Sequence, residues 1–263
     1  MCGIAGYSLT PDARVPRTLA AQALMAGIAE RGADAVGYAH RTPGSSNATT
    51  IKQRTGASKL LERIRVPDAA TQLLVHVRDY TKGHPSISAN NHPVRHGPIV
   101  GIHNGVIVND DEVLANFSCA RSEPGMTVDS EAIFALAAHS DADARALERL
   151  RGSLATAWLD ERVPDTVSTA RGIGRPLWTG VAAAGVFFAS TRRALDIFEA
   201  YVGVKLRKDE VEHGTLLELC HGEIVRCDRF TSPPFVEEDP LPAVRAPREA
   251  EACLTALQSL AAA

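Results

Sequence analysis

The chain begins Met1-Cys2-Gly3-Ile4-Ala5-Gly6, and residues 2–9 (CGIAGYSL) read as a short buried strand. A thiol therefore stands at the head of a core element. If Met1 is removed, as a small residue at position two favours, Cys2 becomes the first residue and carries a nucleophile and a free α-amine together. An N-terminal amine can serve as the base that a thiol needs, and it titrates near pH ~8, so a useful fraction is unprotonated at neutrality. Taken alone, Cys2 fits better as a free cysteine buried in an N-terminal strand. The rest of the chain decides between the two readings.

Strand-like and helix-like runs follow in a mixed order. A helix is expected over TLAAQALMAGIAER (18–31), with Gly32 as its C′ glycine, then strands over 31–39 and 49–54. SKLLERIR (58–65) reads as a short helix capped by Ser58, and TQLLVHVR (71–78) as a strong strand. Residues 79–97 are polar and rich in Gly, Pro, His and Asn without periodicity, and a long irregular loop in a compact domain is usually functional. PIVGIHNGVIV (98–108) reads as a strand broken by a His-Asn-Gly turn, after which Asn109 caps the helix DDEVLANF. Helices are expected from Glu131 and over 141–151, then strand-like pieces at 153–160, 165–172, 176–181 and 186–190. A helix at 191–202 and a hairpin over 214–230, turned at His221-Gly222, complete the body. This divides the chain into a domain at 1–230 and a Pro-rich extension at 231–263 ending in a helix, either a docking arm or a solvated tail. Interleaved strands and paired helices give an α+β class, and short hairpins favour antiparallel sheets.

The bulk numbers exclude several functions. The chain has 263 residues, 45% of them hydrophobic, 22% charged, with a net charge of -3. That balance gives no electrostatic reason to bind nucleic acid or an anionic membrane surface. No apolar run reaches the roughly 18 residues of a membrane span, and no secretory signal pattern opens the chain. The 5 cysteines are odd in number and without paired metal spacing, which fits free thiols and a cytoplasmic location. His76 and His103 lie inside apolar strands, and the remaining histidines lack ligand spacing, so neither a metal nor a cofactor is expected.

Amide acyl transfer needs a nucleophile, a base, oxyanion donors and substrate positioning. Cys2 and its amine supply the first two. Asn104 and Gly105 offer a side-chain NH2 and a backbone N–H to one developing oxyanion. Arg78 ends a strand at the mouth of the irregular loop, where its fork suits a carboxylate. Asp129 precedes a helix, where it could hold an ammonium group or act as N-cap, and position alone favours the cap.

The ordered motifs MCGIAG (1–6), ERGADAVGYA (30–39), HVRDYTKG (76–83), NNHPV (90–94), IVGIHNGVI (99–107) and VDSEAIF (128–134) resemble class II glutamine amidotransferases, the N-terminal-nucleophile type. The glutaminase domains of glucosamine-6-phosphate synthase and amidophosphoribosyltransferase are the nearest in pattern. A second run, 153–180 with 185–195, extends the resemblance to about residue 230. It implies a four-layer αββα sandwich of two antiparallel sheets (the Ntn hydrolase fold), with glutamine as substrate. It also implies Cys2 as nucleophile, Asn104 and Gly105 as oxyanion hole, and Arg78 and Thr81 on the glutamine α-carboxylate. Asp129 would hold the α-ammonium, Arg31 and Gly32 line the pocket, His92 stand beside it, and 79–84 form a lid. Asp79 and Lys82 depart from the pattern of the glucosamine-type enzymes, at positions that bear on the lid's contact with a downstream domain. No acceptor domain follows the body, so the expected partner is a synthetase or acceptor-domain chain that takes up the ammonia. A γ-glutamyl amidohydrolase and a non-catalytic regulatory module are the alternatives.

Overall fold

The computed structural model describes residues 2–140, 143–238 and 242–262. In chain order the elements are β1 (Gly3–Leu9), α1 (Arg17–Ile28), β2 (Ala35–Arg41), β3 (Thr49–Gln53), α2 (Ala57–Leu61), β4 (Gln72–Arg78), β5 (Val94–His96), β6 (Ile99–Ile107), α3 (Asp110–Asn116), α4 (Glu131–His139), β7 (Gly152–Asp160), β8 (Thr166–Arg171), β9 (Trp178–Ala182), β10 (Gly185–Ala189), α5 (Arg192–Val202), β11 (Arg207–Glu210), β12 (Thr215–Cys220), β13 (Glu223–Arg229) and α6 (Pro247–Ala261). They form a seven-stranded sheet, β11-β9-β10-β1-β4-β2-β3, and a six-stranded sheet, β13-β12-β8-β7-β6-β5. The strand pairings in both are antiparallel, as the sequence leads one to expect.

Side chains alternate across a strand with period two, and here both faces of the central strands are buried. Ile4, Ala39, Leu74 and Phe188 of the seven-stranded sheet meet Val100, Ile102, Ala155, Ala157 and Leu159 of the other, forming the dry layer between sheets. The alternate residues of β1, namely Ala5, Tyr7 and Leu9, pack outward on α1 and α5 through Leu24, Met25 and Phe198. On the far side Ile99, Ile107 and Trp158 pack on Ile133, Phe134 and Leu136 of α4. Helix, sheet, sheet, helix is thus the αββα order.

Several local readings change in three dimensions. The His-Asn-Gly motif is no turn, because β6 runs unbroken through it and pairs with β7 from Ile99 to Ile107. Gly105 instead serves a tight approach: at φ +153°, a Cβ there would lie 1.9 Å from the Ser153 carbonyl oxygen. Gly32 is extended rather than left-handed, at φ -176°. It is small because a Cβ would meet the Arg78 carbonyl at 2.4 Å. Helix α2 starts after Gly56, not Ser58, and its cap comes from far along the chain. The Glu249 carboxylate accepts the Ser58 N–H at 3.0 Å, supplying the acceptor and negative charge that a helix N-terminus favours. Of the helix expected over 141–151, residues 141–142 lie outside the described residues and Ala144–Arg149 is a 3-10 helix. The hairpin turn is as expected, with positive φ at both His221 and Gly222, the signature of a type I′ turn. Short strands β5 and β11 carry no pattern strong enough to be read from sequence.

One buried cation ties the two sheets together at their rim. Arg41, at the end of β2 and 1% exposed, donates to the Gln72 side chain in its own sheet. It also donates to the carbonyls of Asp160, Val163 and Thr166 in the other sheet, at 2.7, 3.2 and 2.8 Å. Replacing it by Met in R41M would leave those acceptors unmatched, at about 1 kcal/mol each. We expect a loss of about 3 kcal/mol in urea unfolding, and an unchanged midpoint would remove Arg41 from this role.

Candidate active site

The alternation that builds the core also aims the polar residues at the strand ends. Cys2 precedes β1 on the side of Ile4, and Asn104 continues the Val100–Ile102 face of β6. Both therefore point into the space between sheets, where the apolar layer stops. There Cys2, Asn104, Gly105 and Thr81 line one cleft of about 360 Å³. A narrower cavity, also bounded by Cys2 and Gly105, is lined by Arg78, Thr81, His92 and Asp129. Of the residues singled out in the sequence, Arg31 and Gly32 stand behind these walls rather than in them. Arg31 donates from Nε to the Cys2 carbonyl at 3.2 Å, and Gly32 packs on the backbone of Arg78 and Asp79.

The Cys2 thiol is half-buried and donates to the Asp79 carbonyl at 3.4 Å. Burial pushes its pKa up, against the bond to Asp79 and the charge of Arg78. A thiol held neutral in this way needs a base within reach before it can attack. Asn104 is fully buried, yet neither its Oδ1 nor its Nδ2 has a partner among the described residues. An unmatched buried amide costs about 1–3 kcal/mol, and this one stands where the cleft meets the core.

Arg78 does not point its fork at open space. Its Nη1 donates to Asn91 Oδ1 at 2.6 Å, and its Nη2 to the carbonyls of Lys82 and Gly83. It thereby shapes the 79–84 loop from below. That loop is pinned again by Asn90, whose Nδ2 donates to the His84 carbonyl at 3.2 Å while its Oδ1 accepts the N–H groups of Thr127 and Val128 at 2.7 and 3.0 Å. The two residues that depart from the glucosamine-type pattern find partners within the chain. Lys82 pairs with Asp110 at 2.7 Å, and Asp79 with Arg245 of the C-terminal segment at 3.1 Å.

Asp129 is not the N-cap that its position favours. Ser130 occupies that position, and Asp129 Oδ2 instead accepts the Ile107 N–H at 2.7 Å, across to the end of β6. Burial raises its carboxyl to about 6. His92 is buried with both ring nitrogens unpartnered among the described residues. It stacks on His76 with centroids 4.1 Å apart. Burial pushes His76 and His103 down to about 3 and His92 well below its usual value, so all three rings are neutral. His103 bonds Ser130 Oγ at 2.9 Å, and His76 the His103 carbonyl at 3.1 Å, so both are hydrogen-bonded core histidines. Among the described residues no group of three or more His, Cys, Asp or Glu side chains is arranged to hold a metal ion.

Comparison with known proteins agrees with this geometry. The family profile described as a glutamine amidotransferase domain matches residues 76–197. The glutamine–fructose-6-phosphate aminotransferase (isomerizing) of Salmonella typhi is 32% identical over 212 residues, covering 74% of this chain and 32% of that protein. Its counterpart from Shouchella clausii is 27% identical over 234 residues, covering 82% and 37%. The chain carries a class II glutamine amidotransferase domain. It spans about a third of the length of these curated relatives. Solved structures share the fold: the B. subtilis glutamine PRPP amidotransferase superposes with TM-score 0.66 at 20% identity, over 87% of this chain and 49% of that one. A glutamine aminotransferase class-II domain protein from Silicibacter pomeroyi does so with TM-score 0.53 at 16% identity, over 88% and 100%. This amidotransferase domain therefore has an Ntn-hydrolase-like fold.

Sequence reasoning missed one side of its cleft. Arg175 lines it beside Gly105 and Val106, facing Phe235 and Glu237 of the C-terminal segment. The only hint in the sequence is the run GIGRPL, which carries no spacing rule. No helix among the described residues is long and apolar enough to cross a membrane.

The buried carboxyl makes a stability prediction. Asp129 holds its proton more tightly in the fold than in the unfolded chain, its pKa rising from 3.8 to about 6. Stability from this group is therefore present at low pH and lost as pH rises through that window. D129N should gain on the wild type between about pH 4 and pH 6 and keep that gain above it. Urea unfolding across pH reads this directly, and a pH-independent difference would contradict it.

Proposed function

We propose that the domain hydrolyses the side-chain amide of glutamine through a Cys2 thioester and delivers the ammonia to an acceptor site on a partner chain. The observation that carries this reading is the unpartnered, fully buried Asn104 amide on the wall that Cys2 also lines. In the narrower cavity Arg78 and Thr81 hold the α-carboxylate of glutamine, and ionised Asp129 its α-ammonium. His92 bounds the same cavity, while Arg31 and Gly32 fix the backbone at its rear. With Met1 removed, the α-amine takes the thiol proton as Sγ attacks the amide carbon. Asn104 Nδ2 and the Gly105 N–H stabilise the resulting oxyanion, and such donors are worth roughly 3 kcal/mol each in a transition state. The C–N bond then breaks, the proton passes to the leaving nitrogen, and ammonia departs. Water attacks the thioester, and glutamate leaves with the thiol restored.

The acceptor site lies outside the described residues, which form one sandwich whose two sheets both build the glutamine site. The matching relatives are named for amination of fructose 6-phosphate, but the chain spans only the third of their length noted above. The acceptor chemistry is therefore assigned to the partner and left unspecified by this domain.

C2A should abolish glutamate release. N104A should lower kcat about 100-fold while leaving the unfolding midpoint equal to or above that of the wild type, since it removes an unmatched buried amide. Retained turnover in C2A would refute the thioester route. Loss of activity accompanied by loss of stability in N104A would make Asn104 structural.

A further inference from the structure

The C-terminal segment after β13 folds back over the cleft. Phe235, Val236, Glu237 and Glu238 form one of its walls, opposite Cys2 and Asn104. Glu237 is the residue that fastens it. Its Oε1 accepts from Ser153 Oγ at 2.8 Å and from Arg175 Nη2. Both partners are buried rather than displayed on a surface: Arg175, in the loop between β8 and β9, is 7% exposed and Ser153, on β7, 1%. The Ser153 hydroxyl in turn accepts the Val106 N–H at 3.1 Å, one residue beyond Gly105 on β6. Arg175 Nη1 donates to the Gly174 carbonyl, and its Nε is buried without a partner among the described residues. A buried guanidinium and a buried hydroxyl thus converge on a single carboxylate, with one guanidinium N–H left unmatched among the described residues.

This carboxylate lies in the cleft, whereas Arg78 and Asp129 line the narrower cavity. If glutamine occupies that cavity, as proposed above, the cleft is on the side from which the amide nitrogen leaves. Ammonia needs almost no room there, yet the space is about 360 Å³ and already contains an anion-recognition pair.

We propose that Glu237 is a specificity determinant for the leaving-group side. By occupying Arg175 and Ser153 it closes a carboxylate subsite, so that the domain accepts an amide whose leaving group is ammonia and rejects γ-glutamyl amides whose leaving amine carries a carboxylate. A γ-glutamyl amino acid would bring its own carboxylate to Arg175, where Glu237 both fills the position and repels it. The proposal rests on the glutamine reading for which amide is cut. The anion subsite itself rests only on Arg175, Ser153 and Glu237.

Two readouts separate these layers. Alkylation of Cys2 by iodoacetate or by iodoacetamide forms the same Sγ–C bond with loss of iodide, but only the first reagent is anionic. The rate at the N-terminal peptide is followed by mass spectrometry, which keeps Cys2 apart from the other thiols. E237A should raise the iodoacetate-to-iodoacetamide rate ratio about tenfold, the scale of one charge-assisted hydrogen bond. R175M/E237A should return the ratio to that of the wild type. An unchanged ratio in E237A, including an equal rise for both reagents, overturns the subsite, as does a raised ratio that survives R175M. In turnover, E237A should raise kcat/KM for γ-glutamylglycine relative to glutamine by a similar factor, and an unchanged relative value overturns the specificity role. Failure of the wild type to hydrolyse glutamine would instead count against the proposed function, while the alkylation ratio would still report on the subsite.

Discussion

Two stacked sheets, both buried on both faces, impose one rule on every central strand: each residue has to satisfy either the layer between sheets or a helix outside. On β1 this rule commits Ile4 inward and Ala5, Tyr7 and Leu9 outward. On β6 it commits Val100 and Ile102 inward, and Ile99 and Ile107 outward. The site is what remains when the inward rows run past the end of the apolar layer. Cys2 and Asn104 need no special loop to bring them together, because the pleat that buries Ile4 and Ile102 already faces them toward each other. A one-residue slip in either strand would reverse this, and would also turn the core inside out. The geometry of the site is therefore protected by the energetics of the core.

The polar groups around that opening are far from optimally matched. Asn104 and His92 lack partners among the described residues, and burial raises the Asp129 carboxyl to about 6. Against this, the surrounding loop is over-determined. Arg78 holds two of its carbonyls, Asn90 grips two N–H groups of the Thr127–Val128 segment, and Lys82 and Asp79 are paired to Asp110 and Arg245. Unsatisfied groups set among saturated ones thus alternate along the cavity walls. The Asp79 and Lys82 departures belong to this second class, since they join the loop to its own chain.

Sequence made the strands and helices legible wherever a pattern repeats over several residues, and the family resemblance supplied their layering and the cluster around Cys2. The strands around Ile4, Leu74 and Ile102, the α5 helix, and the His221-Gly222 hairpin all follow local rules. What stayed hidden depends on contacts between distant residues. His-Asn-Gly reads as a turn because those residues are common in turns, whereas Gly105 is required by the carbonyl of Ser153 on the neighbouring strand. Gly32 reads as a helix stop but yields to the backbone of Arg78. The cap of α2 is lent by Glu249, 191 residues away. Arg175 and Glu237 meet across 62 residues, with no spacing rule to announce them. Asp129 reads as a cap until the Ile107 N–H is seen to claim its oxygen.

The central place of β1 also has a bearing on how the chain assembles. Its two neighbours are β4 and β10, and the Ile4 N–H is completed by Ser190 Oγ, 186 residues later. Close behind Cys2, the Glu30 carbonyl is held by the N–H groups of Arg245 and Ala246. Loop closure over such separations is entropically slow, and proteins dominated by distant pairings fold late and cooperatively. β1 therefore completes its pairing only once β10 is in place. The thiol at its head is consequently set in its final surroundings only after distant parts of the chain have joined it.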